Sequence, residues 1–361
     1  MKIGLVGLNQ TGKTTIFNLL TGREEGGQAP AGKSAANTGV GLVPDSRIDF
    51  LSQLFKPKKI TYAQIELTDV AGFSATGEGQ KSGAAKFLND VRPCEALIHV
   101  LRAFESDSVI HEQGNIDPAR DLEAVETEML FADLELVEKR IDRIKTGKKM
   151  TKENADELAR LERCFAWLEG GGTMREMELS EEERIAMRNY AFLTEKPRLA
   201  VVNLDESQFK KKDYPNKEAV RSLCSQLNIP LLELCGEMEL EISRLPEEDK
   251  LMFMEDLGLS EPGIAVLAKA VYGLLGLISF LTAGEDEVRA WTIEEGTSAR
   301  AAAGKIHSDI ERGFIRAEVV KFEDIKSLGS MVKVKEKGLF RLEGKEYTVI
   351  DGDIINFRFN V

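Results

Sequence analysis

The stretch GLVGLNQTGKTT, residues 4–15, has the form of a phosphate-binding loop between a strand and a helix. It continues the short apolar run KIGLVG and leads into TTIFNLL. Such a loop must turn so that successive backbone N–H groups point at phosphate oxygens, and glycine leaves room for that turn. Lys13 supplies a point charge to the terminal phosphates, and the Thr14 hydroxyl is placed for Mg²⁺. The residues predicted to bind nucleotide here are Asn9, Gln10, Thr11, Gly12, Lys13, Thr14 and Thr15.

A second element of a nucleotide switch follows the next strong strand. The run IELTDVAGF places Asp69 and Gly72 at Asp-x-x-Gly spacing. An Asp at the carboxyl end of a strand beside the loop can hold a water molecule on Mg²⁺, and the N–H of Gly72 can reach the outermost phosphate. Together with the loop, this spacing predicts a switch-type nucleoside triphosphatase with Mg²⁺ as its cofactor.

Base recognition is expected after the later strand PRLAVVNL. Guanine-specific proteins of this class use Asn-Lys-x-Asp there, with the Lys packed on the base and the Asp accepting guanine N–H groups. The four positions here read Asn203, Leu204, Asp205 and Glu206. Because the lysine is absent and the carboxylate side chain is longer, the strict guanine motif is broken. An exocyclic amine such as that of adenine still has acceptors nearby.

Composition narrows the class of protein further. With 361 residues, 42% of them apolar and 30% charged, the chain is long enough for two or three globular domains. Its formal net charge of −13 argues against nonspecific coating of nucleic acid, which needs clustered Lys and Arg. The four cysteines form no Cys-x-x-Cys pair, so neither a disulfide framework nor a zinc site is expected. These features fit a reducing, cytoplasmic location.

Two apolar runs resemble targeting or membrane-spanning segments. The N-terminal run is too short for a signal peptide. Residues 264–283 come close to the ~20 residues needed to span a bilayer. Lys269, Tyr272 and two internal glycines favour a buried helix of a soluble protein instead. We therefore expect no membrane association.

The order of periodic segments predicts an α/β fold. Apolar strand-like runs alternate with helical or loop stretches in residues 1–116 and 197–280, as in a mostly parallel sheet wrapped by helices. Residues 117–196 carry helical periodicity instead, from Leu122 to Ile141, and Ser180 with Glu183 forms a capping box. We expect this segment to be an inserted α-helical hairpin, or arm.

The last part of the chain, residues 281–361, changes period again. The runs VRAWTI, FIRAEVV, GLFRL, KEYTVI and INFRFNV read as strands, with turns at Glu343-Gly344 and Asp351-Gly352. One helix is expected from about Ser298 to Glu311. The prediction is a small mixed sheet with a helix across it.

These residues and blocks resemble the Obg-related YchF family, also called Obg-like ATPases, nearly from end to end. The matching blocks include GKTTIFNLLT, DVAG, IHVLRAF, DPARDLE, ADLELVEKR, NLDE, FMEDLGL, TAGEDEVRAWTI, GKIHSDIERGFIRAEVV and DGDIINFRFNV. The resemblance implies a Ras-like P-loop domain with the inserted arm, and a C-terminal TGS domain of ubiquitin-like β-grasp form. It also implies ATP preferred over GTP, with the base read by Asn203 and Glu206 and lined by Cys235 and Gly236.

The sequence identifies catalytic residues less clearly than nucleotide-binding residues. Ras-like enzymes position the attacking water with a Gln just after Asp-x-x-Gly, and Phe73 stands there in this chain. The resemblance implies that His111 takes the place of this Gln. That His111 is a surface histidine of a loop, with no role in catalysis, is an equal alternative. His99, within a strand, is expected to be structural.

The first switch departs from the family pattern. The Thr that usually completes the Mg²⁺ shell aligns with Lys33, one residue from Ser34. Either Ser34 supplies the hydroxyl through a shifted loop, or the sensing of the γ-phosphate is weakened.

Three functions remain open on this basis. The favoured one is a slow ATPase that acts as a nucleotide-dependent switch on ribosomes, the partner that the resemblance implies, with RNA contact through the TGS domain and a monomeric chain. The second is a nucleotide-sensing adaptor with little or no hydrolysis. The third is a conventional GTPase, which the missing lysine at position 204 disfavours.

Overall fold

The computed structural model describes residues 2–23, 37–70, 72, 87–106, 109, 111, 113–147 and 151–360. By compactness the chain divides into two units. The first comprises Met1–Gly39 and Glu66–Ile264, and the second comprises Val40–Ile65 and Ala265–Val361.

The described strands and helices have the following bounds. The strands are β1 Lys2–Val6, β2 Asn37–Val43, β3 Lys59–Thr61, β4 Ala63–Asp69, β5 Ala96–Arg102, β6 Arg198–Asn203, β7 Leu231–Leu234, β8 Leu277–Ala283, β9 Glu287–Glu294, β10 Phe314–Lys321, β11 Arg341–Glu343 and β12 Asp353–Phe359. The helices are α1 Lys13–Thr21, α2 Ser46–Phe55, α3 Pro118–Lys145, α4 Lys152–Glu169, α5 Glu181–Met187, α6 Glu206–Lys211, α7 Lys217–Gln226, α8 Gly236–Arg244, α9 Glu247–Asp256, α10 Gly263–Leu274, α11 Ala299–Ile306, α12 Ser308–Arg312, α13 Phe322–Leu328 and α14 Met331–Glu336.

The first sheet has the strand order β2-β4-β1-β5-β6-β7. Its pairs β4–β1, β1–β5, β5–β6 and β6–β7 are parallel, and every residue of β5 and β6 is buried, as expected for strands covered on both faces. The register sets Leu5 opposite Asp69, and Arg102 opposite Asn203. The loops that follow β1, β4, β5 and β6 therefore emerge at one edge, where the strand order reverses about β1. Open α/β sheets bind ligands at such an edge.

The inserted arm is built on α3, a helix of 28 residues that spans about 42 Å at ~1.5 Å per residue. Its first half contributes Leu122, Val125 and Met129 to the cores of the strand domain. Its second half packs with α4 and the segment after it in a separate core. The buried residues of that core are Val137, Ile141, Ile144, Leu161, Cys164, Leu168, Met174, Met177, Met187 and Phe192. The predicted capping box of Ser180 and Glu183 is confirmed at the start of α5.

The second unit contains a mixed sheet with the order β11-β10-β12-β8-β9-β3. A parallel pair, β12 and β8, lies between antiparallel partners on either side. Helix α11 contributes Ala299, Ala302 and Ala303 to the core that it shares with Phe280 and Val319. Small side chains let the helix pack closely on the sheet. The predicted mixed sheet crossed by a helix is confirmed, and its central parallel pair is the arrangement expected of a β-grasp. The single helix expected from about Ser298 to Glu311 is instead two helices, α11 and α12, because His307 between them has an extended backbone.

Three expectations about secondary structure need correction. The apolar run 264–283 is not one helix, since α10 ends at Leu274 and β8 begins at Leu277, after Gly276 at a φ of +62°. The run KEYTVI is not a strand, and only Thr348 forms an isolated bridge, to Ser298. Strand β2 was not predicted, because its run NTGVGLV carries few large apolar side chains.

The compact units also differ from the predicted domain limits. Residues 40–65 and 265–280, predicted to belong to the nucleotide domain, fall in the second unit. The predicted limit at residue 281 lies within β8. No helix in the described part of the chain is long and apolar enough to cross a bilayer.

Candidate nucleotide-binding site

The loop between β1 and α1 depends on two glycines. Gly7 leaves β1 with a φ of +143°, and a Cβ there would lie 2.4 Å from the carbonyl oxygen of Val100. Gly12 has a φ of +91°, and its Cβ would lie 2.2 Å from Nδ2 of Asn203. A side chain at either position would meet both backbone strain and overlap, so the loop can follow this path only with glycine.

Lys13 begins α1 and is 6% exposed. Its Nζ donates hydrogen bonds to the carbonyl oxygens of Gly7 at 3.2 Å and Leu8 at 2.5 Å. The ammonium is thus held inside the curve of the loop, at the N-terminus of a helix whose first N–H groups have no partner within the helix. Positive charge and backbone donors converge there, which suits phosphate.

Thr14 and Asp69 are brought together, as the predicted cation site requires. The Thr14 hydroxyl donates to Oδ2 of Asp69 at 2.9 Å. Burial raises the pKa of Asp69, while the bond from Thr14 and the charge of Lys13 act in the opposite direction. A hydroxyl and a carboxylate are hard oxygen ligands of the kind that Mg²⁺ prefers.

Gly72 packs directly against the loop. A Cβ built on it would lie 2.1 Å from Oδ1 and 2.9 Å from Cα of Asn9. These two predicted nucleotide-binding residues are therefore neighbours, and Gly72 has no room for a side chain. Ser34 and Phe73, also named from the sequence, lie outside the described residues.

Asn203 connects the phosphate loop to the start of α8. Its Nδ2 donates to the carbonyl oxygen of Thr11 at 3.1 Å, and its Oδ1 accepts from the N–H of Gly236 at 2.9 Å. Cys235, the residue before α8, is buried beside it. Both ends of the Asn203 amide are thus bonded to the protein, and a second N–H on the same nitrogen can donate to a base.

Leu204 and Glu206, two further positions of the base motif, differ in exposure. Leu204 is 3% exposed and packs in the core that contains Leu101 and Tyr214, so only its main chain can face a nucleotide. The Glu206 side chain is 66% exposed on the first turn of α6 and forms an ion pair with Lys210. The motif read from the sequence did not distinguish these two environments.

Phe104 was not singled out from the sequence. A Cβ built on Gly12 would lie 4.0 Å from its ring, and its N–H donates to the carbonyl oxygen of Asn203 at 3.1 Å. An aromatic ring therefore borders the loop beside Asn203. The signal available in the sequence was its place just beyond the carboxyl end of the predicted strand that became β5.

The two histidines considered for chemistry occupy different settings. Nδ1 of His111 accepts from the N–H of Gln113 at 3.2 Å, so Nε2 carries the proton toward Oδ2 of the buried Asp121, 3.0 Å away. His111 is thereby bonded to the first turn of α3. His99 is fully buried in β5, and burial lowers its pKa to about 3, which keeps the ring neutral.

Known proteins similar to this chain point to one family. A family model described as 50S ribosome-binding GTPase matches residues 2–134, and a model of the C-terminal region of YchF GTPases, described as a protein of unknown function, matches residues 277–360. The Ribosome-binding ATPase YchF of Escherichia coli O157:H7 is 41% identical over 100% of this chain and 99% of its own length. That of Bacillus subtilis is 42% identical over 99% of each chain.

A solved structure is similar to the whole chain. The YchF GTPase of Schizosaccharomyces pombe superposes with a TM-score of 0.86 at 28% identity, covering 99% of this chain and 97% of its own. The chain is thus more than 40% identical to YchF proteins over its full length and shares the fold of a YchF structure. The chain belongs to the YchF family.

Proposed function

We propose that this chain is a slow ATPase that acts in the cytoplasm as a nucleotide-dependent switch on ribosomes. The observation that carries the proposal is the convergence of Lys13 with the Thr14–Asp69 pair at the glycine loop. Relatives that match the chain from end to end are named ribosome-binding ATPases. The loop amides and Lys13 would bind the phosphates and neutralise their charge.

Mg²⁺ fits the residues present. The Thr14 hydroxyl would bind the ion directly, and Asp69, which already accepts the Thr14 hydrogen bond, would hold one of its water ligands. Bound Mg²⁺ would supply charge neutralisation on the phosphate oxygens. Since burial raises the pKa of Asp69, a cation nearby would also help to keep that carboxyl ionised. Ser34 as a further ligand remains part of the proposal.

Base selection is proposed to favour ATP over GTP. The position of the guanine-motif lysine is taken by Leu204, whose side chain is in the core. Asn203, together with Gly236 and Cys235, would form one side of the base site, and Glu206 at the start of α6 would offer an acceptor to an exocyclic amine. Phe104 provides an aromatic surface beside Gly12.

A second candidate, the adaptor with little hydrolysis, is favoured by one observation. Both ring nitrogens of His111 take part in hydrogen bonds, to Gln113 and Asp121. A histidine that positions the attacking water would have to release one of these bonds.

The C-terminal β-grasp sheet is proposed to be a TGS domain that contacts ribosomal RNA, in the adaptor as in the ATPase.

One experiment separates the three functions. Calorimetric titration with ATP, GTP and ADP would be combined with single-turnover hydrolysis, with and without ribosomes. We expect tighter binding of ATP than of GTP and phosphate release that ribosomes accelerate. ATP binding without phosphate release under either condition would establish the adaptor, and tighter binding of GTP would establish a conventional GTPase.

A further inference from the structure

Arg102, the last residue of β5, is a buried cation that the site described above does not use. It is 2% exposed, and burial lowers its pKa. Its Nη1 has no hydrogen-bond partner within the described part of the chain. A buried guanidinium with incomplete hydrogen bonding costs more free energy than an apolar side chain of similar volume. If packing were its only role, Leu or Met would serve better at this position.

The contacts of Arg102 are directed to the loop that follows β5. Nε donates to the carbonyl oxygen of Phe104 at 3.2 Å, and Nη2 donates to that of Val109 at 2.8 Å. The guanidinium carbon lies 4.5 Å from the centre of the Phe104 ring. The guanidinium thus donates to two loop carbonyls and also lies over an aromatic ring, a combination that lysine cannot reproduce.

The Phe104 ring lies close both to this guanidinium and to Gly12 of the phosphate loop. The N–H groups of Ala103 and Phe104 both donate to the carbonyl oxygen of Asn203, which fixes the backbone beside the base motif. Gln208 of α6 donates to the carbonyl oxygen of Ala103 at 2.8 Å. With the backbone bonded in this way, the direction of the ring depends on what packs against it, and the guanidinium of Arg102 does.

We propose that Arg102 is a positioning residue for base recognition: it fixes the Phe104 ring as one wall of the base site, so that it governs affinity for the base and leaves affinity for the phosphates unchanged. The inference rests on the proposed nucleotide function. It adds a residue that touches neither the phosphates nor the base and acts through Phe104.

The test compares two ligands that share phosphates and differ in the base: ATP and ribose 5′-triphosphate. Because stacking on an aromatic ring strengthens the binding of a base, Arg102→Lys should weaken ATP binding about tenfold and change ribose 5′-triphosphate binding less than about twofold. Phe104→Ala should show the same selective loss. Adding Arg102→Lys to Phe104→Ala should then cost less than about a further twofold, because the ring through which Arg102 acts is gone.

Arg198→Lys is the matched control. Arg198 is equally buried on the neighbouring strand, where it pairs with Glu126 and donates to the carbonyl oxygen of Thr194, so its loss should leave ATP affinity unchanged in a folded chain. Unchanged ATP affinity in Arg102→Lys, or equal losses for ATP and ribose 5′-triphosphate, would overturn the inference. Failure of the parent to bind ATP would instead count against the proposed function.

A measurement on the parent chain covers the case in which Arg102→Lys does not fold. With 4-fluorophenylalanine at position 104, the fluorine resonance should be a single narrow line that shifts on addition of ATP and stays in place with ribose 5′-triphosphate. Several ring resonances in the parent would show that the guanidinium does not fix the ring. No shift with ATP would show that the ring does not form the base site, and either result contradicts the inference.

Discussion

The phosphate end and the base end of the candidate site are built in different ways. The phosphate end is one continuous segment, Gly7 to Thr14, whose shape follows from its own glycines and the helix that it begins. The base end is assembled from the loops after β5, β6 and β7, which begin about 90, 190 and 220 residues beyond the phosphate end. The first end therefore takes most of its shape from residues close together in the chain, with Asn203 bonded to it at Thr11. The second depends on contacts such as those of Asn203 with Thr11 and Gly236.

The largest expected effect is at the phosphate end. Lys13→Ala removes a buried charge from the loop and should weaken binding of ATP, GTP and ribose 5′-triphosphate alike, by about a thousandfold. Calorimetry measures it. Lys217→Ala is the matched control, since Lys217 also begins a helix and also donates to a backbone carbonyl, that of Lys212, away from the loop. An ATP affinity of Lys13→Ala within about threefold of that of the parent chain would refute the assignment of the phosphate loop.

His111→Ala tests hydrolysis and not binding at either the phosphate end or the base end. If His111 positions or deprotonates the attacking water, single-turnover hydrolysis should fall by about a hundredfold while ATP affinity stays the same. The companion variant Asp121→Asn removes the charge that His111 contacts. Equal hydrolysis rates in His111→Ala and the parent would assign this histidine to the anchoring of its loop on α3. Replacement of the exposed His307 by Ala provides the control.

Asn203 joins the two ends, and its replacement should affect both. Asn203→Ala leaves the buried carbonyl oxygen of Thr11 and the N–H of Gly236 without this partner, which we expect to cost about 2–3 kcal/mol in the free energy of unfolding. ATP affinity should fall by about tenfold or more. Urea unfolding and calorimetry on the same preparation give the two values. A stable variant with unchanged ATP affinity would mean that the two ends are independent.

The smallest effect is expected at the exposed rim of the base end. Glu206→Asp should change the ratio of ATP to GTP affinity by about threefold, because the carboxylate is solvated on the surface of α6 and interactions of exposed charges are weak. Glu218→Asp, on the exposed first turn of α7, is the matched control. A ratio that does not move in Glu206→Asp would leave base selection to Asn203, Phe104 and the main chain.

Much of the site was predictable from local sequence. The glycine loop, the pairing of Thr14 with Asp69 and the strands that carry them follow from short motifs and apolar runs, because a parallel sheet brings the carboxyl ends of its strands to one edge. The capping box at Ser180 depends only on residues three apart, and it too was predicted correctly.

The features that sequence reasoning missed all depend on contacts between distant residues. Leu204 and Glu206 are two positions apart, yet one lies in the core and the other in solvent, since the chain passes from β6 into α6 between them. The run 264–283 reads as one apolar helix, although its second half forms ladder bonds with β9.

Local sequence is enough to predict the phosphate loop, the α/β order of the first unit, the helical arm and the mixed sheet that follows. Each of these is specified by glycine placement or by hydrophobic periodicity within a few residues. Tertiary structure alone decided that Asn203 bonds the loop to α8, that Arg102 covers Phe104, and that His111 is held by Asp121. Directional hydrogen bonds and ring contacts between side chains distant in sequence arise only once the strands have aligned, and no local pattern encodes their geometry.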